Sequence, residues 1–166
     1  STEIYFTSGG TESNNLAIFG SINAHKRRGN KIVITSIEHP SVIESVKQAS
    51  KLGFEVVYVK PDKNGLIPES ELYKEIDDKT ILISMMLVNN EVGSIQNVEN
   101  LKRITKSKKS PALIHIDAVQ GFGKIPIKVS RIGADLMTIS AHKIHGAKGV
   151  GALYVSQKSR ITPFLF

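Results

Sequence analysis

Short runs of β-branched and aromatic residues alternate along this chain with segments of helical spacing, and Gly, Pro, Asn or Asp residues mark the transitions. Most of the runs are apolar throughout, as in strands that are covered on both faces. The alternation predicts an α/β fold: a mostly parallel seven-stranded sheet with helices on both faces. The predicted strands are residues 3–7, 31–36, 54–60, 80–88, 112–117, 134–140 and 151–156.

Four segments between the predicted strands have helical patterns. The clearest is 40–53, where Val42, Val46 and Ala49 share one face and Gly53 marks the end. With 166 residues and 40% hydrophobic content, the chain is long enough for one packed domain. The other predicted helices are residues 12–28, 68–78 and 98–109.

Composition excludes several classes of protein. No apolar stretch approaches the roughly 20 residues that a membrane-spanning helix needs, and the opening lacks the features of a signal peptide. We therefore expect no membrane contact and, by default, a bacterial cytoplasmic location. The absence of cysteine excludes disulfides, thiolate metal sites and a cysteine nucleophile from this chain, and we expect no metal.

The net charge of +7 includes two basic clusters, at residues 25–31 and 102–109. Such clusters can attract nucleic acid. Solvated helix ends and loops explain them better, since the chain has no tryptophan and only 6% aromatic residues with which to stack bases. We do not expect a nucleic-acid partner.

Polar residues follow five of the predicted strands. In a parallel sheet the carboxyl ends of the strands meet at one edge, where ligands bind. After the first strand, Gly10 and Thr11 could form a phosphate cradle, or an ordinary tight turn with Thr11 as N-cap. His39, after the second strand, could be catalytic or could cap the next helix. Asn89 and Asn90, after the fourth, could line a pocket or belong to an ordinary glycine turn.

The fifth and sixth predicted strands carry more specific signals. Asp117 ends a buried apolar run, with Gln120 three residues further on. An unpaired buried carboxylate is costly, so Asp117 either faces a cation such as a protonated ring nitrogen or caps a helix. The sixth strand ends with Ser140, His142 and Lys143 beside several glycines. A nucleophilic amine explains this lysine better than a solvated charge does, and pyridoxal phosphate (PLP) chemistry needs a Schiff-base lysine together with a carboxylate on the pyridine nitrogen.

Five segments together resemble the NifS/IscS-type cysteine desulfurases of the class V aminotransferase family. They are SGGTESNNLAIFG, TSIEHPSV, LVNNEVGSIQ, HIDAVQGFGKIPI and SAHKIHGAKGVGALYV. The resemblance covers essentially the whole chain and implies the large domain of PLP-dependent transferase fold type I, with residues 1–166 a partial PLP-binding domain. A further N-terminal segment, the arginine that binds the substrate carboxylate, a small C-terminal domain and the sulfur-accepting cysteine would lie outside it.

The resemblance also implies roles for the strand-end residues. Lys143 would bind PLP covalently and would be catalytic together with His39, which would stack on the ring and assist proton transfer. Asp117 would pair with the pyridine nitrogen, and Gln120 would contact the phenolic oxygen. Asn90 would line the cofactor site near the substrate. The phosphate would be held by Gly10, Thr11, Ser140 and His142.

The implied reaction converts L-cysteine to L-alanine and passes the sulfur, as an enzyme persulfide, to iron–sulfur cluster or thiolation pathways. The implied partners are L-cysteine, a second copy in a homodimer and a sulfur-acceptor scaffold protein. Two alternatives stay open: another class V aminotransferase or selenocysteine lyase using the same cofactor, and a non-catalytic fragment. Because this chain has no cysteine, we expect it to be inactive as a desulfurase on its own.

Overall fold

The computed structural model describes residues 2–163, which contain seven strands and five α-helices in the predicted alternation. The strands are β1 (Ile4–Thr7), β2 (Lys31–Thr35), β3 (Glu55–Val59), β4 (Thr80–Met86), β5 (Leu113–Asp117), β6 (Leu136–Ser140) and β7 (Gly151–Val155). The helices are α1 (Gly10–His25), α2 (Pro40–Lys51), α3 (Glu69–Glu75), α4 (Asn100–Ser107) and α5 (Val129–Ile132), and a 3-10 turn spans Ala141–Ile144. The sequence did not indicate α5 or the 3-10 turn, because four residues are too few to show helical periodicity.

The seven strands form one sheet in the spatial order β1-β7-β6-β5-β4-β2-β3. Strands β2 to β6 pair in parallel, and β7 lies antiparallel between β6 and β1. Strand β1 therefore runs in the same direction as the parallel strands. The prediction of a mostly parallel sheet is confirmed, and the carboxyl ends of six strands lie at one edge.

Two hydrophobic cores cover the two faces of the sheet. Helices α1 and α2 pack on one face, where Ile18 and Val46 contact a cluster that includes Leu82 of β4. Helices α3, α4 and α5 pack on the other face, in a cluster that contains Leu101 and Ile83. Adjacent residues of β4 thus enter opposite cores, and each fully buried Leu or Ile contributes about 1.5–3 kcal/mol. Helices on both faces, as predicted, explain why these strands are apolar throughout.

Backbone contact holds the loop after β1 in place. A Cβ atom at Gly151 would lie 2.6 Å from Gly9 Cα, so the start of β7 and this loop meet without side chains between them. The Ser8 backbone N–H and the Ser8 hydroxyl both donate to Glu12 Oε2, each at 2.6 Å, and these bonds hold the loop against the first turn of α1. Gly9 is the N-cap and Thr11 lies in the first turn, so the alternative in which Thr11 caps the helix is wrong.

None of the helices within residues 2–163 is both long enough and apolar enough to cross a membrane.

Candidate cofactor site

A cavity of about 310 Å³ opens at the carboxyl edge of the sheet, beside the first turns of α1 and α2. Eight of the nine predicted site residues line this cavity: Gly10, Thr11, His39, Asn90, Asp117, Gln120, His142 and Lys143. The ninth, Ser140, is buried at the end of β6, and its Oγ lies 2.8 Å from His142 Nδ1. The fold thus brings residues from five separate strand ends to one place.

The first turn of α1 supplies hydrogen-bond donors to this cavity. The first intrahelical bond runs from Ser13 N to Gly9 O at 3.1 Å, so the helix itself does not use the N–H groups of Gly10 and Thr11. The helix dipole favours an anion there. A Cβ at Gly10 would lie 2.9 Å from Val119 Cγ2, so glycine allows the loop after β5 to approach closely. These donors suit a phosphate group.

Asp117 is a buried carboxylate at the end of β5, with 2% of its surface exposed. Its Oδ2 accepts from Asn14 Nδ2 at 2.8 Å and its Oδ1 from Val119 N at 3.0 Å. Burial raises the pKa of Asp117, and these two hydrogen bonds oppose the rise. A cation facing the carboxylate would offset the cost of burying its charge. The chain turns after β5 without starting an α-helix, so the helix-capping alternative is wrong.

His39 is the N-cap of α2, as one of the two sequence interpretations proposed. Its Nδ1 accepts from Ser41 N at 3.1 Å and lies 2.8 Å from Ser41 Oγ. Capping occupies only Nδ1, and the ring also lines the cavity. The structural and the functional interpretations of His39 are therefore compatible.

The two asparagines after β4 have different surroundings. Asn89 is buried and shapes the turn, because its Oδ1 accepts from the backbone N–H groups of Glu91 and Val92, both at 2.9 Å. Asn90 lines the cavity instead. The glycine-turn interpretation thus fits Asn89, and the pocket interpretation fits Asn90.

Lys143 lies in the 3-10 turn directly after β6 and lines the cavity half-buried. The turn is tight: Gly146 N donates to Ala141 O at 2.9 Å, and a Cβ at Gly146 would lie 2.9 Å from Ala141 Cβ. No carboxylate within residues 2–163 pairs with the Lys143 ammonium. An amine held this way is available to a bound molecule.

Sequence reasoning missed Asn14, which lines the cavity and is 1% exposed. Buried Ala17 and Ile18 lie three and four residues further along α1, so helical spacing would have placed Asn14 on the inner face. Ser41, also on the cavity wall, was missed as well. Nothing in the sequence pattern marks Ser41, because its importance comes from contacts with α1.

Glu38 was also missed, although it directly precedes His39. Its Oε1 accepts from Thr35 Oγ1 and from Met86 N, and its Oε2 has no hydrogen-bond partner among the described residues. Burial, with a smaller contribution from the charge of Asp117, raises the pKa of Glu38 to about 8. The carboxyl group beside the site is therefore protonated near neutral pH.

The class-V aminotransferase family matches this chain over residues 1–166. The chain is 45% identical over 159 residues to the cysteine desulfurase IscS of Shewanella piezotolerans, and this alignment covers 96% of the chain and 39% of the relative. The cysteine desulfurase IscS of Colwellia psychrerythraea is 46% identical over the same coverage. The chain thus spans about two fifths of the length of these curated relatives.

Solved structures agree in fold over nearly the whole chain. A NifS-like protein has a TM-score of 0.95 and 43% identity, with 99% of this chain and 45% of that one covered. The structure of SspA in complex with cysteine has a TM-score of 0.92 and 36% identity, covering 99% and 47%. Together these matches show that the chain belongs to the class-V aminotransferase family, whose members are PLP-dependent.

Proposed function

We propose that the protein containing this chain is a PLP-dependent cysteine desulfurase, and that the chain is its cofactor-binding portion. Such an enzyme converts L-cysteine to L-alanine and moves the sulfur onto an acceptor cysteine as a persulfide. The observation that carries the proposal is the convergence of Lys143, Asp117 and His39 on one cavity. Relatives at 45% identity are named cysteine desulfurases, and one structural neighbour binds cysteine. The acceptor would lie elsewhere in the protein, since this chain has no cysteine.

The residues of the cavity fit PLP. The buried carboxylate of Asp117 needs a cationic neighbour, which a protonated pyridine nitrogen provides. The α1 N-terminus with Thr11, together with the Ser140–His142 pair, would hold the phosphate. Gln120 would meet the phenolic oxygen, and Lys143 would hold the cofactor covalently. When bound, PLP supplies an electron sink for negative charge at the substrate α-carbon.

The side chains of this chain supply positioning and proton transfer. Asp117, oriented by Asn14 and by the Val119 N–H, would stabilise positive charge on a ring nitrogen. The Lys143 amine, on its tight turn, would move a proton at the substrate α-carbon. His39 would exchange a proton through Nε2, which capping leaves available. Asn90 would line the substrate side of the cavity.

Turnover of L-cysteine by the full-length protein tests the proposal. The wild type should release alanine, with sulfide when a thiol reductant is added, and Lys143→Ala should not. Lys148→Ala is the matched control, because Lys148 is an exposed lysine in the glycine-rich turn and does not line the cavity. Alanine formation at the wild-type rate by the Lys143→Ala variant would contradict the proposal. Keto-acid formation without alanine from cysteine would favour the alternative of a different class V aminotransferase.

We further propose a homodimer, a sulfur-acceptor scaffold protein for iron–sulfur cluster or thiolation pathways, and a cytoplasmic location. The exposed apolar side chains on the edge strand β1, with Tyr5 50% and Phe6 83% exposed, support an additional covering surface. Analytical ultracentrifugation of the full-length protein tests the dimer, sulfur-transfer assays with candidate scaffolds test the acceptor, and fractionation of the source cells tests the location. A monomer at micromolar concentration would contradict the dimer.

A further inference from the structure

A continuous chain of hydrogen bonds connects Asp117 to His39. Asn14 Nδ2 donates to Asp117 Oδ2 at 2.8 Å and to Ser41 Oγ at 2.9 Å. Ser41 Oγ in turn lies 2.8 Å from His39 Nδ1. Asn14 and Asp117 are 1% and 2% exposed, so the Asp117 end of this chain of hydrogen bonds is shielded from water. The four residues lie on β5, α1 and the start of α2.

The chemistry of the groups fixes the direction of each bond. An amide nitrogen only donates, and the two hydrogens of Asn14 Nδ2 meet two acceptors, Asp117 Oδ2 and Ser41 Oγ. The Ser41 hydroxyl, which accepts from Asn14, then directs its own hydrogen to His39 Nδ1. The backbone N–H of Ser41 also donates to that nitrogen, at 3.1 Å. Because a backbone N–H cannot accept, His39 Nδ1 must present its lone pair.

We propose that Asn14 and Ser41 are positioning residues that hold His39 as one neutral tautomer, with its hydrogen on Nε2. Nε2 makes no hydrogen bond to any described residue, and the ring lines the cavity. The bound molecule therefore meets an N–H donor. The mechanistic meaning rests on the proposed function: His39 gives a proton from Nε2 before it takes one. A hydrogen on Nδ1 would face the Ser41 N–H and remove the cap of α2.

The same chain of hydrogen bonds links the tautomer of His39 to Asp117. Asp117 Oδ2 accepts from Asn14 and so keeps the amide hydrogens turned toward Asp117 and Ser41. If Asn14 is removed, Ser41 Oγ loses its donor and can turn its lone pairs toward His39. A change at Asn14 should therefore be detectable at His39, although Asn14 makes no hydrogen bond to that ring.

Magic-angle-spinning ¹⁵N spectra of the full-length, PLP-loaded protein, labelled on histidine and free of substrate, test the proposal. Protonated and unprotonated ring nitrogens resonate far apart, and the difference spectrum against His39→Gln assigns the signals. We expect one protonated nitrogen, Nε2, and an unprotonated Nδ1. An Nδ1–H tautomer or an even mixture in the wild type would overturn the proposal.

Variants test the two positioning residues separately. In Ser41→Ala, the population ratio of the Nε2–H to the Nδ1–H tautomer should fall roughly fivefold, as expected for one lost hydrogen bond. Ser41→Thr should restore the ratio. Asn14→Ala should shift the Nδ1 signal. The control Asn15→Ala should not, although Asn15 also bonds α1 to α2, through Ser45 Oγ at 3.1 Å. An unchanged spectrum in Ser41→Ala would refute the role of Ser41.

Folding and turnover can be separated from this readout. Circular dichroism identifies a variant that fails to fold, and if Asn14→Ala does so, the Ser41→Ala and Ser41→Thr pair still decides the proposal. The spectra are recorded without turnover. If the spectra are as expected but the protein makes no alanine from cysteine, only the proposed function is overturned. If the protein is an active desulfurase but His39 is a mixture of tautomers, only this inference is overturned.

Discussion

The substitution Glu38→Gln tests whether the folded protein keeps a protonated carboxyl group beside the site. Glu38 is 7% exposed, and its Oε1 accepts from Thr35 Oγ1 and Met86 N. Burial raises its pKa from 4.5 to about 8. Glutamine keeps the acceptor and the shape of the side chain but cannot ionise. The variant therefore removes the titration and leaves the hydrogen bonds in place.

The magnitude follows from the two pKa values. Glu38 ionises near 4.5 in the unfolded chain and near 8 in the folded protein, so unfolding releases one proton at intermediate pH. The free energy of unfolding contributed by this group then falls by about 1.4 kcal/mol for each unit of rising pH. The contribution is intact below pH 4.5 and lost progressively toward pH 8. From about pH 5.5 to about pH 7.5 the loss is roughly 2–3 kcal/mol, because the folded group begins to ionise before pH 8.

Urea unfolding of the full-length protein and of Glu38→Gln at these two pH values measures the effect. Relative to the wild type, the free energy of unfolding of the variant should rise by about 2–3 kcal/mol between the lower and the higher pH. Groups common to both proteins cancel in the difference. The exposed Glu71→Gln substitution is the control and should show no such trend. A wild-type-to-variant difference that stays constant across this range would refute a protonated Glu38.

Three further substitutions probe the cofactor site of the full-length protein. Lys143→Ala should lower alanine formation by at least about 10²- to 10⁴-fold and remove the visible absorbance of lysine-bound PLP, whereas Lys148→Ala should retain both. Asp117→Asn should weaken PLP binding roughly 10- to 100-fold in equilibrium dialysis, since it removes a charged hydrogen-bond partner; unchanged affinity would argue against the pairing with the ring nitrogen. Gly10→Ala should destabilise the protein by about 1–3 kcal/mol in urea unfolding, because the added Cβ would lie 2.9 Å from Val119 Cγ2. Adding Val119→Ala should recover most of that loss, and no recovery would contradict the steric explanation.

The sequence predicted the strands and the main helices well because their signals are local. A continuous apolar run such as that of β4 indicates a strand covered on both faces, and both faces are indeed covered. The positions of the strand ends were predicted equally well, since polar residues directly after apolar runs are easy to identify. Once the strands are parallel, their carboxyl ends meet at one edge, so His39 and Asp117 were expected near each other before any contact was known.

Other features depended on contacts between distant segments. No local pattern shows that β7 inserts antiparallel between β6 and β1, because strand order depends on pairing over the whole chain. Sequence offered a capping and a catalytic interpretation of His39. The structure shows that Nδ1 caps α2 and that the ring lines the cavity, whereas the catalytic role stays a prediction. That the capping ring also faces the cavity depends on where the cap lies relative to the other strand ends.

The sequence by itself determined the layered α/β architecture and the edge of the sheet at which the polar strand-end residues meet, because both follow from short-range pattern. Only the tertiary structure decided the surroundings of those side chains. Asn14 and Ser41 join Asp117 to His39 across three elements, and the burial of Glu38 raises its pKa. Hydrogen-bond direction and desolvation depend on which atoms meet in space, and residue spacing along the chain does not encode that.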